Sequence, residues 1–313
     1  MASITRTKAQ STKKPIQLEP IIFHTINYSV LAFLCVIMIY PMLNTLAISF
    51  NEGMDAIRGG IRIWPRAFTL QNFVTVLGMH TIFDAFFISV YRVIAQVISN
   101  LLVTSMLAYA LSRQEYVLRR FITVAFVITM YINVGVIPHF ILIRGLGLTN
   151  TFAVYWVPGM ISAFNLIIIR TYMRSISESL IESARIEGAG DFRIYWQIVM
   201  PLCKPTLAAI ALFVAVGSWN DWFTTFLFNP GNQALSTLQF ELTRILAAAM
   251  MAGQGGQAEA AAHAAAAGVG LVTVTAQTLR AAITIVAAVP ILVVYPFVQR
   301  YFIHGIQLGG VKE

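Results

Sequence analysis

At 313 residues, 58% of them hydrophobic and 11% charged, the chain is far more apolar than a soluble domain, where charged residues reach about 25%. Its mean hydropathy of +0.75 points to a polytopic membrane protein. The net charge of +8 gathers into no stripe or basic domain and accompanies no aromatic-basic motif, which argues against nucleic acid as a partner.

Residues 1–24 are polar and carry Arg6, Lys8, Lys13 and Lys14. The apolar run that follows is longer than the roughly 7–15 residues of a signal-peptide core, so it reads as a retained first span. A helix needs about 20 predominantly apolar residues to cross the hydrocarbon core. Six segments qualify: Asn27–Phe50, Thr81–Leu111, Arg120–Ile143, Phe152–Met173, Thr206–Phe228 and Leu279–Ile303. The second is long enough to tilt or to extend out of the membrane, and Pro158-Gly159 predicts a break or kink in the fourth.

Orientation follows from the flanking cations. With the N-terminus inside, the outer segments hold only Arg58, Arg62, Arg66, Arg144 and Arg244. Arg92 and Arg280 fall within spans, and every other Lys and Arg lies on the inner side. The expected fold is an all-α bundle of six transmembrane spans with both termini cytoplasmic. Its spans occupy residues 25–304, followed by a cytoplasmic tail, 305–313. Cys35 and Cys203 then lie on opposite sides, without metal-ligand neighbours at useful spacing, and are expected to be unpaired apolar fillers.

Two outer loops are long. The first, 51–80, contains Gly59-Gly60 and Trp64-Pro65 and is expected to fold back over the membrane surface. The second, 229–277, contains the alanine-rich tract Ala247–Ala267, which favours short helices interrupted at Gly253–Gln257. Gln254, Gln257, Glu259 and His263 make that tract a poor span.

The inner segment 174–205 is unusual for a loop between spans. It contains the run SISESLIESARIEGAGDFRIYWQIVMPLCKP. Ser177 or Ser179 is suited to cap a short helix beginning near Leu180, with Glu182, Arg185 and Glu187 polar and Ile181, Ala184 and Ile186 apolar. Gly188-Ala189-Gly190 permits a sharp turn. Asp191 is suited to cap a second helix over Phe192–Val199, with Phe192, Tyr195, Trp196 and Val199 at roughly helical spacing. Pro201 and Pro205 mark the entry to the fifth span. Two short helices at an angle, with aromatic residues exposed, could fit a groove on a soluble partner.

Glu182-Ser183-Ala184, Gly188, Ile198 and Pro201 together resemble the EAA loop of binding-protein-dependent ABC importer permeases, with serine in place of the family's middle alanine. The terminal stretch QRYFIHGIQLGGVKE looks like the tail of the maltose-type permeases, and Trp219-Asn220-Asp221-Trp222 resembles the carbohydrate branch. The stretch Leu43–Phe73 resembles permeases for oligosaccharides of complex polysaccharides, most of all the second permease subunit of a bacterial alginate importer.

The resemblance implies a multi-pass protein of the bacterial inner (cytoplasmic) membrane, in contact with lipid. Its implied partners are a second permease, a homodimeric ATPase and a periplasmic or surface solute-binding protein, with an oligosaccharide as cargo. It implies ATPase coupling through Glu182, Ala184, Gly188, Ala189, Ile198 and Pro201, and through Lys312 in the tail. ATP and magnesium would be held by the ATPase partner, with no cofactor in this chain.

Polar residues inside spans usually face a cavity or a partner. Candidates for a sugar pathway are Tyr91, Arg92, Gln96 and Asn100 on the second span, Tyr131 and Asn133 on the third, Asn165 on the fourth, and Trp219, Asn220 and Asp221 on the fifth. Arg92, Gln96 and Asn100 share one helix face. The alternative for each is hydrogen bonding between helices, and for Asp221 a cation on the partner permease. Arg58, Arg62, Arg66, Arg244 and Arg280 would attract an acidic substrate or an acidic binding protein.

No phosphate-binding G-x-x-x-x-G-K-[ST], H-E-x-x-H or G-x-S-x-G motif occurs, so the chain reads as a non-enzymatic subunit. His139, after Pro138, reads as a helix-end residue. An ion-coupled carrier is the competing transporter class, but it would leave the large inner loop unexplained. A membrane transferase would need converging carboxylates or a metal site, and none is evident.

Overall fold

The computed structural model describes residues 18–132, 134–254 and 274–307. Asn133, Lys312 and most of the alanine-rich tract lie outside the described residues. What is described is helical, apart from loops and one antiparallel bridge between Asn51 and Phe68.

Helix α1, Leu18–Ser49, is apolar on every side and largely exposed, as befits a helix solvated by lipid. A loop with two short helices, α2 (Gly53–Ile57) and α3 (Gln71–Leu77), leads to α4, His80–Ser112. At 33 residues this helix is about 50 Å long, the axis on which the rest is built. The expected third span is divided: α5 (Arg119–Tyr131) and α6 (Val136–Gly145) flank a break that includes Gly135 at φ +76°.

The fourth expected span is divided more deeply. A 3₁₀ turn, Phe152–Tyr155, is followed by non-helical chain through Pro158 and Gly159, and only then by α7, Ala163–Arg174. The break predicted at Pro158-Gly159 is present and spans several residues. Next come α8 (Glu178–Ile186), α9 (Asp191–Ile194), a π-turn at Tyr195–Val199, and α10 (Met200–Leu202). The chain bends by 78° into α11, Lys204–Asn220. A break at Asp221-Trp222 separates α11 from α12, Phe223–Phe228. Helix α13, Leu238–Gln254, covers the start of the alanine-rich tract, and α14, Ala276–Gln307, completes the described chain.

Among the described residues, Phe23–Ser49, His80–Ser112 and Ala276–Pro296 are long and apolar enough to cross a membrane, and the bent pair Asp191–Leu202 with Lys204–Asn220 makes up to four. The expectation of six spans with a break in the fourth alone is therefore modified: the third and fifth segments are interrupted as well. Their backbone breaks create unpaired polar groups that other elements must satisfy.

Packing forms two main cores. One, at the α8 end, joins Leu111 of α4, Ile169 and Met173 of α7, Ile181 of α8, Tyr195, Val199 and Ile210. The other, toward the opposite end of α4, joins Val76, Ile82, Trp219, Leu238 and Ile283. The breaks in the fourth and fifth segments lie between them.

Candidate functional site

Two features lie along one stretch of chain: a clamped helical hairpin at the α8 end, and a polar cleft where the interrupted segments meet.

The hairpin is built around Gly188, which adopts φ +83°. Its amide donates to Arg185 O at 2.9 Å, and the Ala189 amide donates to Ala184 O at 3.0 Å. This is the Schellman pattern, in which a left-handed glycine ends a helix and satisfies its last carbonyls. Ile181 and Ala184 are buried as expected. Ile186 instead is 88% exposed, because it lies about 140° around the helix from Ile181.

Capping also differs from expectation. Ser177 occupies the N-cap of α8, but its hydroxyl bonds that of Ser179 at 2.7 Å rather than the helix backbone. Gly190 takes the N-cap of α9, which frees Asp191 to accept from Arg185 at 3.2 Å. Phe192 and Trp196 are exposed, whereas Tyr195 and Val199 are buried in the core, Tyr195 bonding Ser105 of α4 at 2.7 Å. Of the other expected coupling residues, Glu182 and Pro201 are exposed, and Ala189 and Ile198 are partly buried against the core.

Charge fixes this hairpin to the end of α4. Arg185 bridges Glu115, in the loop after α4, and Asp191. Arg113, stacked on the Tyr109 ring at 5.1 Å, lies 3.7 Å from Glu178. The Arg185 hydrogen bond holds the Glu115 carboxyl below its usual range, and the same bond pushes the Arg185 guanidinium up.

The cleft begins with the polar face of α4. Gln96 Nε2 and Asn100 Nδ2 both donate to the Gly159 carbonyl at 2.8 Å, and Thr104 Oγ1 donates to Met160 O at 3.1 Å. Asn165 Nδ2 donates to Asn100 Oδ1 at 3.1 Å. Side chains four residues apart on one face thus supply the donors that the broken fourth segment lacks. The approach at Gly159 is close: a Cβ there would meet Gln96 Nε2 at 2.2 Å. Thr104→Val keeps the shape but leaves Met160 O without that donor. The expected cost is about 1–3 kcal/mol, read as a lowered unfolding midpoint in detergent.

Arg92 completes the face. It is 3% exposed, and its Nη1 donates to the Asp221 carbonyl at 2.6 Å while Nη2 pairs with the Asp221 carboxylate. The guanidinium lies over the Tyr155 ring, 4.7 Å from its centroid. Asp221 also accepts from the amide and hydroxyl of Thr224 at 3.1 and 2.5 Å. One cation therefore ties down the break between α11 and α12, as the amides of Gln96 and Asn100 tie down the break in the fourth segment. Asp221 thus has a cation within the chain.

Arg92, Gln96, Asn100, Gly159, Asn165 and Asp221 line an open cleft of about 380 Å³ together with Tyr155, Ser162, Phe213, Gly217 and Thr224, and Thr104 lies beyond it. Of the expected pathway residues, it brings together Arg92, Gln96, Asn100, Asn165 and Asp221. Tyr91 is exposed elsewhere on α4. Trp219 is buried in the core, its ring against Phe86 and its Nε1 donating to Ala287 O at 3.2 Å. Asn220 bonds Val216 O at 2.9 Å and does not line the cleft. Tyr131 is exposed. Sequence reasoning missed Thr104, which continues the four-residue spacing from Asn100, and Tyr155, which had no sequence signal.

Apolar helices interrupted around a polar cleft, with a clamped hairpin at one end, define a membrane transport subunit. The chain belongs to the family described as binding-protein-dependent transport system inner membrane component, which matches residues 100–306. It is 31% identical to the polygalacturonan/rhamnogalacturonan transport system permease protein YtcP of Bacillus subtilis (strain 168), over 93% of this chain and 98% of that protein. It is 28% identical to the arabinooligosaccharides transport system permease protein AraQ of Halalkalibacterium halodurans, over 92% and 95%. The fold matches, at a TM-score of 0.80 and 26% identity, a chain in the crystal structure of a bacterial ABC transporter involved in the import of the acidic polysaccharide alginate, covering 93% of this chain and all of that one.

Proposed function

We propose that this chain is the permease subunit of an ABC importer for oligosaccharides, acidic ones of the alginate or polygalacturonan kind, forming the membrane pathway with a second permease. It would cross the membrane six times, with residues 1–24 and 305–313 in the cytoplasm and the interrupted segments each counting as one crossing. The hairpin α8–α9 would dock on a homodimeric ATPase that binds ATP and magnesium, and a solute-binding protein would deliver the sugar at the opposite face.

The observation that carries this reading is continuity. With no long loop between them, the hairpin, the π-turn, the 78° bend and α11 follow one another to Asp221 on the cleft wall. A displacement at the hairpin has a direct covalent route to the cleft. The lining suits sugars, because its amides and carboxylate are groups that bond hydroxyls.

Support for an acidic cargo comes from the likeness to YtcP and to the alginate transporter, not from charge inside the cleft, where Asp221 neutralises Arg92. Outside it, Arg66 is paired with Asp55 and Arg244 with Glu241. ATPase activity stimulated by the binding protein, measured with uronate and neutral oligosaccharides of equal length, should respond to the uronates. A response to neutral sugars alone would mark the chain as a neutral-sugar permease.

A buried intramembrane ion pair is also what ion-coupled carriers use, and Arg92–Asp221 is the observation favouring that second reading. Sugar uptake by the purified chain alone under an ion gradient, without ATP, would establish it.

A further inference from the structure

We infer that the tip of the loop between α1 and α4, from Ile57 to Trp64, is a membrane anchor seated in the outer-leaflet interface, with Arg58 and Arg62 on phospholipid phosphates. This rests on the topology proposed above, in which α1 crosses the membrane with Ser49 at its outer end.

The loop does not rise away from α1 but returns along it. Asn44 Nδ2 donates to the carbonyls of Ile61 and Arg62 at 2.7 and 2.8 Å, and Ile61 and Ala56 are buried against Ala47. Asn44 lies five residues before the end of α1, about 7.5 Å back along its axis. The apolar part of α1, Phe23–Ser49, is about 40 Å long, against about 30 Å of hydrocarbon. Several ångströms of α1 therefore protrude at each end, and the level of Asn44 falls close to the hydrocarbon boundary.

What the tip presents at that level is apolar and rigid. Trp64 is 81% exposed, Ile57 58% and Ile63 55%. Gly59 and Gly60 turn the chain at φ +71° and +78°. Arg66 locks the turn by donating to Asp55 Oδ2 at 3.0 Å and Gly59 O at 2.8 Å. The exposure is thus a fixed display rather than looseness. Arg58 and Arg62 flank it and have no ion pair among the described residues. A protruding tryptophan with adjacent exposed arginines at the hydrocarbon edge matches the chemistry of the interface, where tryptophan is enriched and cations meet phosphates.

The test uses the full chain, assembled with its partner subunits in nanodiscs containing phosphatidylglycerol. A nitroxide is placed at Trp64→Cys on a Cys35→Ser background, and its relaxation by oxygen and by a water-soluble nickel chelate is compared. The oxygen-to-nickel ratio should exceed severalfold that of a label at Ala234→Cys, an exposed loop position. A ratio like that of Ala234→Cys, or low access to both reagents as at a protein interface, overturns the anchor. The parent protein labelled at Cys35, exposed on α1, reports the span itself. Oxygen-rich Cys35 with water-exposed position 64 defeats the anchor alone, whereas water-exposed Cys35 defeats the topology and the anchor with it. Arg58→Gln/Arg62→Gln should lower the ratio at position 64 to its value in phosphatidylcholine discs. No change on this substitution overturns the assignment of the arginines.

Discussion

Asp221→Ala is expected to destabilise the protein by roughly 3–5 kcal/mol, the cost of leaving a buried charge without its partner. Arg92 has no route out of the problem: it is 3% exposed, and what remains is one bond to the residue 221 carbonyl and the face of Tyr155. The break between α11 and α12 is then held by that backbone bond alone, without the carboxylate's bonds to Arg92 and Thr224. Arg92→Met/Asp221→Leu removes both charges and should recover most of the lost stability, because well-packed apolar replacements of buried ion pairs are often neutral or better. Unfolding midpoints of the assembled complex would measure both effects. An Asp221→Ala variant as stable as the parent would show that the pair holds nothing together.

Gly188→Asp should abolish ATPase association or stimulation while the chain still inserts in the membrane. The physical cause is local. A Cβ at residue 188 would meet nothing within 4 Å, so no clash is involved. The residue must hold φ +83°, where an L side chain costs about 1–2 kcal/mol, and the Schellman turn that sets the angle between α8 and α9 depends on it. Aspartate further adds negative charge beside Glu187 and Asp191. Asparagine is the usual alternative to glycine at this helix-ending position and adds no charge, so Gly188→Asn should retain much of the coupling. Co-purification of the ATPase and its ATP turnover separate the two variants, and normal assembly and transport in Gly188→Asp would refute the role assigned to this turn.

Local chemistry was legible in the sequence wherever one residue type decides the backbone. Gly188 announced its turn, and Pro158-Gly159 announced the break in the fourth segment. The break near Gly135 was hidden by the apolar residues around it, since hydropathy reports solvent preference and not helical continuity. Trp219, Asn220 and Asp221 read as one polar group, yet successive residues diverge by about 100° around a helix. The structure accordingly sends Trp219 to the core, Asn220 away from the cleft and Asp221 into it. Arg92 and Asp221 are separated by 129 positions, so their pairing belongs to tertiary structure. Ile186 was misjudged for a simpler reason: residue type was counted without its angle on α8.

The 78° bend before α11 has a mechanical consequence. Helix α11 has 17 residues and is about 25 Å long, so a tilt of about 10° at the bend would swing its far end by about 4 Å. Arg92 is carried by α4, on the other side of that swing. The pair then acts as a latch on a lever: a swing of that size must either open it or drag α4 along.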